Sequence, residues 1–359
     1  MKIGILSMQK IQNYGSFLQA LSLKMQFEQR GHDVYFVDIE PGRQIVQPEA
    51  NQFGLLSKFD RYFFKRIGNL LLTRRMNQIH VADYTEYLHT EKKLEQGEAF
   101  DLVVIGSDEV FNATTPSPWG FSKQLFGDVA NAKKVVTYAA SCGSMTLASA
   151  RKYEIDGEIA ETMKKLSAVS VRDQNSVDFV VGITGQVPLI HVDPVFLADY
   201  DKYIPEAPVK KPYLLVYAYV NRISDQREIA AIKAYAKDKN LLIVSVGTQQ
   251  RWCDHNIAAN AFELLRWVKN ADCIVTDTFH GSVFSIKYNK KFVTLIRDSN
   301  RNKLGDLLRR FGLSARTVDD VSKFAAIMET PLSYADVNAF IVEEQARSAE
   351  YLNHICFMG

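Results

Sequence analysis

The sequence lacks the features that settle a protein's class at once. Its 359 residues hold four cysteines, Cys142, Cys253, Cys273 and Cys356, widely scattered and without a C-x-x-C pair. That is neither a disulfide framework nor a zinc site, and it suits a reducing compartment. No apolar run reaches the ~20 residues that a membrane-spanning helix needs. The opening Met1-Lys2-Ile3-Gly4-Ile5-Leu6-Ser7 has neither the long apolar core nor the cleavage site of a signal peptide, and it reads as a buried first strand. Charge is nearly balanced: 43 basic and 41 acidic residues leave +2. A nucleic-acid binder would carry a basic stripe, so that class is set aside. No internal repeat or low-complexity segment is evident. The expectation is a soluble, cytoplasmic protein.

What is present is a globular balance, 47% apolar and 23% charged residues, and a rhythm. Short β-branched runs alternate with helical patterns, the signature of βαβ units and parallel sheets. Strands are expected at Ile3–Ser7, Asp33–Val37, Leu102–Ile105, Val135–Ala139 and Val169–Val171. An amphipathic helix should run from Ser16 to Arg30, closed by Gly31, and another from Ser149 to Leu166. Three prolines, Pro205, Pro208 and Pro212, mark a linker. Beyond it strands are expected at Tyr213–Tyr217, Leu241–Val246, Cys273–Thr276 and Phe292–Leu295, with helices near Ser224–Lys239, Ala261–Asn270 and Ser282–Tyr288. The expected division is 1–202, a linker at 203–212, a second domain at 213–330, and a closing helix at 331–359 packing across both. Two parallel-sheet domains imply a cleft, with ligands at the carboxyl ends of strands.

One stretch breaks the rhythm. Between Ser57 and His80, six basic residues interleave with aromatics, and Phe59, Phe63, Ile67 and Leu70 fall on one helical face. Such a helix either faces a core with a solvated basic side or lies on an anionic membrane surface.

Four constellations carry chemistry. In Ile274-Val275-Thr276-Asp277-Thr278-Phe279-His280-Gly281-Ser282, a buried strand ends in small polar residues before His-Gly opens a helix. A helix N-terminus offers unpaired N–H groups and partial positive charge, and histidine there can bind an anion or move a proton. The plainer alternative makes His280 a cap and Asp277 a turn former. In Gly106-Ser107-Asp108-Glu109-Val110-Phe111-Asn112, Gly106 permits a tight turn while Ser107 and Asp108 offer oxygens. In Asn13-Tyr14-Gly15-Ser16, Gly15 allows close approach to a phosphate and Ser16 caps the helix. It is neither G-x-G-x-x-G nor G-x-x-x-x-G-K-[ST], which leaves a dinucleotide or P-loop site unsupported. Ser170-Val171-Arg172-Asp173 ends a strand in an arginine whose fork fits carboxylate or phosphate, and Arg297 and Arg301 follow another strand. Several arginines at strand ends suggest a poly-anionic ligand.

Taken together these motifs resemble the polysaccharide pyruvyl transferase family, in the family's order from residue 2 to about residue 312. The resemblance rests on Asn13-Tyr14-Gly15 with Leu18-Gln19-Ala20, Val104-Ile105-Gly106-Ser107-Asp108, Thr137-Tyr138-Ala139-Ala140-Ser141, Ser170-Val171-Arg172-Asp173, Val192-Asp193-Pro194 and Thr276-Asp277-Thr278-Phe279-His280-Gly281. After Ser-Asp the family usually reads Gln-Val-Trp-Asn; here it is Glu109-Val110-Phe111-Asn112, a departure that bears on acceptor contacts more than on the donor.

The resemblance implies a GT-B-like fold of two Rossmann-like parallel-sheet domains facing a cleft. It implies a pyruvyl group taken from phosphoenolpyruvate, a co-substrate, and placed as a cyclic ketal on a sugar of an exopolysaccharide or capsule precursor. The acceptor would be a sugar nucleotide or a lipid-linked saccharide, the latter favoured by a peripheral contact of 57–80 with the inner face of the membrane. Arg172, the helix N-terminus at Thr278, His280 and Gly281, and Arg297 with Arg301 would hold the donor, and Asn13, Gly15 and Ser107 would contact substrate. His280 would serve as acid or as stabiliser of the departing phosphate, and Asp108 or Asp277 would accept a hydroxyl proton. No cofactor or metal is required. The rivals are a glycosyltransferase of the same architecture using a nucleotide-sugar donor, and a non-catalytic sugar-binding protein on the same scaffold.

Overall fold

The computed structural model describes every residue except 9–10, 12, 47–73, 116, 207–210, 221 and 358–359. Residues 57–73 of the basic aromatic stretch and 207–210 of the proline-rich segment therefore lie outside the described residues. The end of the stretch, 74–80, is helical. The chain divides into two compact units, residues 1–74, 84–194 and 348–359 in one and 75–83 with 195–347 in the other.

In the first unit, β1 (Lys2–Leu6), β2 (Asp33–Phe36), β3 (Leu102–Ile105) and β4 (Val135–Thr137) form a parallel sheet in the order β2-β1-β3-β4. A short parallel pair, β5 (Ser170–Val171) and β6 (Leu189–Ile190), continues it through bridges from Val136 to Ala168 and Ala140 to Val171. β1, β3 and β4 are apolar and almost wholly buried because helices cover both faces of such a sheet. Leu6, Val103, Ile105 and Val135 meet Ile159, Met163 and Phe179 in one core, each large side chain contributing about 1.5–3 kcal/mol.

The expected helix 149–166 is two helices, Leu147–Lys152 and Asp156–Met163. Glu154 at φ 54° turns the chain between them, a left-handed conformation no helix continues through.

The second unit holds β7 (Tyr213–Tyr217), β8 (Leu242–Val246), β9 (His255–Ile257), β10 (Cys273–Thr276) and β11 (Phe292–Thr294), all parallel, in the order β11-β10-β7-β8-β9. Leu214, Val216, Val275 and Val293 pack with Ile229, Ile232, Tyr235, Phe324 and Met328. The helix Ala261–Asn270 starts in a capping box between Asn260 and Glu263 and turns Phe262, Leu265 and Val268 inward.

The closing helix Ala335–Phe357 contributes 335–347 to the second unit and 348–357 to the first. In the second, buried Glu344 receives Arg310 and Arg347. In the first, Tyr351 donates to the Thr137 carbonyl at 2.8 Å. Among the described residues no helix is long and apolar enough to cross a membrane.

Candidate active site

Each sheet reverses its strand order once, between β1 and β3 in the first unit and between β7 and β10 in the second. At such a point the loops leaving the carboxyl ends diverge and open a crevice for ligand. The Asn13, Ser107-Asp108 and Asp277–Gly281 motifs lie in these loops, whereas Arg172 follows β5 and Arg297 follows β11.

In the first unit the loops after β1 and β3 are knitted together. Ser7 Oγ donates to the Ser107 carbonyl at 3.2 Å, and Gln19 Nε2 donates to Ser7 Oγ at 2.9 Å while its Oε1 accepts from Ser107 N at 3.1 Å. Asn13 caps the helix Tyr14–Glu28, its Oδ1 accepting from Gly15 N at 2.8 Å. The cap expected at Ser16 is thereby corrected, because Ser16 already lies inside the helix and donates instead to Asp108 Oδ2 at 2.6 Å. Gly106 sits at φ 119°, and a Cβ there would stand 2.3 Å from the Tyr138 carbonyl. Only glycine fits. Ser107 is fully buried and donates to the Ala139 carbonyl at 2.8 Å. Phe111, where the family pattern has Trp, is also fully buried and stacks on Phe126 with centroids 5.3 Å apart. It belongs to the core.

Arg172 is 4% exposed, and its Nη1 donates to Asp193 at 2.6 Å, with Asp108 4.0 Å from Nη2. Burial would push the guanidinium's pKa down, but Asp193, Asp108 and Asp173 outweigh it and hold the charge. Asp173 caps the next helix, Gln174–Thr184, through Ser176 N at 2.9 Å.

In the second unit the turn after β10 is built on Thr276, whose Oγ1 donates to the Tyr217 carbonyl of β7 at 2.6 Å. Thr278 caps the helix Phe279–Lys287, accepting from Gly281 N at 2.9 Å, so His280 stands in the first turn and is no cap. A Cβ on Gly281 would meet Thr276 Oγ1 at 2.0 Å, which keeps this turn tight. His280 is 7% exposed, its ring edge-on to Phe279 and tilted against Phe284. Asp277 has no exposed surface, and its carbonyl accepts from Asn300 Nδ2 at 2.7 Å. An enclosed carboxylate is badly placed to take a proton from a substrate hydroxyl. Burial pushes its pKa up, and Arg222, then Arg297 and the main-chain N–H groups of Tyr219 and Asp277, pull it back only in part.

Arg297 grips Glu228 with both Nη atoms at 2.6 and 2.8 Å, and Arg301, exposed, pairs with Asp298 at 3.2 Å. Sequence reasoning missed Arg222. It follows β7 as Arg297 follows β11, and the same strand-end rule would have reached it.

The polysaccharide pyruvyl transferase family model matches residues 13–299, from the Asn13 cap past the Asp277–Gly281 turn. The chain belongs to the polysaccharide pyruvyl transferase family. No curated protein matches it in sequence. Among solved structures, this pyruvyl transferase family member is similar to the UDP-GlcNAc 2-epimerase from Methanocaldococcus jannaschii at 11% identity and TM-score 0.53, covering 100% of both chains. It is similar also to Arabidopsis thaliana UGT89C1 complexed with UDP-L-rhamnose, at 11% identity and TM-score 0.51, covering 98% of this chain and 97% of that one. At such identities the likeness is one of fold: α/β, two Rossmann-like parallel-sheet domains, GT-B-like. Among the described residues no group of three or more His, Cys, Asp or Glu is arranged to hold a metal ion.

Proposed function

We propose that this family member transfers a pyruvyl group from phosphoenolpyruvate to two hydroxyls of a sugar in a surface-polysaccharide precursor. The observation that carries the reading is the placement of the family's motifs: both end clusters sit at the points where their sheets reverse order, and the family match spans them. A proton is added to the vinyl CH2, giving a methyl group and an electron-poor C2. One sugar hydroxyl bonds to C2 and gives up its proton; the C2–O bond to phosphate then breaks, and a second hydroxyl closes the ketal. The two hydroxyl protons balance the new methyl hydrogen and the proton carried off by phosphate.

His280 is the residue assigned to the donor, as the acid toward CH2 or as the donor of a hydrogen bond to the leaving phosphate. Asp108, partly exposed at the first reversal point, is assigned to the acceptor hydroxyl. The scheme needs no metal. We place the reaction in the cytoplasm, with a sugar nucleotide or lipid-linked saccharide as acceptor. Incubation with phosphoenolpyruvate and a panel of both acceptor kinds tests this. Phosphate release matched by a pyruvyl mass gain on one acceptor supports the reading; transfer of a glycosyl group from a nucleotide sugar, with phosphoenolpyruvate untouched, removes it.

A further inference from the structure

The second unit's reversal point holds an arginine that no sequence motif marks. Arg222 leaves the loop after β7, and its Nε stands 3.2 Å from Asp277 Oδ2, in the turn after β10. Its Nη2 donates to Ser299 Oγ at 2.8 Å, in the loop after β11. The loop after β8 braces the main chain just before it. Thr248 Oγ1 donates to the Ala218 carbonyl at 2.7 Å, and Gln250 Nε2 to the Tyr219 carbonyl at 3.1 Å. Two neighbouring strand-end loops thus meet the guanidinium, and a third holds the main chain of the loop that carries it.

The group is fixed without being used up. Its side chain is 28% exposed, and Nη1 makes no hydrogen bond to a described residue. Two other strand-end arginines differ. Arg172 is buried on Asp193, and both Nη atoms of Arg297 are taken by Glu228. Asp277 is the opposite of Arg222: fully enclosed, with Arg222 as its one ion-pair partner within 4.0 Å among the described residues. A buried carboxylate beneath the Nε edge of an arginine orients the guanidinium and leaves an Nη free for an incoming oxyanion. Tyr219, 43% exposed, lies 5.2 Å from the guanidinium carbon and flanks it with an aromatic face.

We propose that Arg222 is the anion-binding residue of this crevice, that buried Asp277 positions it, and that its ligand is a phosphate group. Naming that phosphate as the donor's rests on the function proposed above. Asp277 is then a positioning residue.

The test is calorimetric titration of the full chain with inorganic phosphate and, separately, with phosphoenolpyruvate, using wild type, Arg222→Lys and Arg222→Ala. Loss of one charge-assisted contact predicts roughly 10- to 100-fold weaker binding of both ligands by Arg222→Ala, with Arg222→Lys between. Arg222→Ala leaves a buried carboxylate unpaired, so the neutral double variant Arg222→Gln/Asp277→Asn serves as the folded control and should bind as weakly. For the positioning role, Asp277→Asn should raise the donor KM with kcat nearly kept and the pH profile unmoved, and should add nothing in the Arg222→Gln background. Equal phosphate binding by wild type and the double variant overturns the inference. So does an Asp277→Asn enzyme that loses kcat and the acidic limb of its profile at unchanged KM. A wild type whose phosphate binding depends on Arg222 but which never consumes phosphoenolpyruvate leaves this inference standing and removes the proposed reaction. A wild type that binds neither ligand overturns both.

Discussion

Arg172 Nη1 lies 2.6 Å from Asp193 Oδ2, and the two side chains are 3% and 0% exposed. A pair so enclosed holds the loops after β5 and β6 together, and breaking one half strands the other charge in the interior. Arg172→Ala is expected to lose ~3–5 kcal/mol of unfolding free energy. Replacing both residues by apolar side chains of similar volume, Arg172→Met with Asp193→Leu, should recover much of that. Urea unfolding of the three proteins checks it. A stable Arg172→Ala protein with only a raised donor KM would instead put Arg172 in contact with substrate.

Gly106 and Gly31 separate two reasons for glycine. Both have positive φ, 119° and 76°, yet a Cβ at Gly31 meets nothing within 4 Å while one at Gly106 runs into the Tyr138 carbonyl. Gly31→Ala should cost only the left-handed backbone, about 1–2 kcal/mol. Gly106→Ala should cost clearly more, because the main chain between β3 and the loop after β4 must separate. Equal denaturation midpoints for the two variants would show that the turn after Ile105 relaxes freely.

Acid should loosen the first unit at Glu158. Arg43 and, after it, Lys123 hold this carboxyl down at about 2. A depressed carboxylate contributes stability above its ordinary pKa and loses it as pH falls toward its folded value, here between about 4.5 and about 2. With the side chain 31% exposed, solvent screening keeps the contribution to about 1 kcal/mol or less. Glu158→Gln should therefore be slightly less stable than wild type near pH 6 and match it near pH 2. A gap that persists at the acid end would mean the loss comes from packing.

Most strands were legible because a strand buried on both faces is a plain apolar run. Leu102–Ile105, Tyr213–Tyr217 and Cys273–Thr276 match the expected spans. β6 and β9 escaped notice: Leu189–Ile190 and His255–Ile257 are short and partly exposed, so no run of apolar residues announces them. The break at Glu154 was equally silent, since a single non-glycine residue at positive φ leaves no trace in the periodicity. At the site, the motif residues were found from small polar groups at strand ends. What they do locally was harder to read, because caps depend on backbone position: Asn13 and Thr278 are caps, Ser16 and His280 are not. Arginines were legible as positive charge but not as partners. Glu228, Asp193 and Asp277 lie far away in sequence from the arginines they bind, and only the fold brings them together.

Pyruvyl transfer through His280, as proposed, is tested most directly by one measurement. Phosphate release from phosphoenolpyruvate, followed in the presence of a competent acceptor, is compared between wild type and His280→Ala, with unfolding curves for both. Loss of a general acid or of a phosphate-stabilising donor predicts a fall in kcat of roughly 100- to 10,000-fold with the fold retained. Release at the wild-type rate by a folded His280→Ala enzyme would contradict the account.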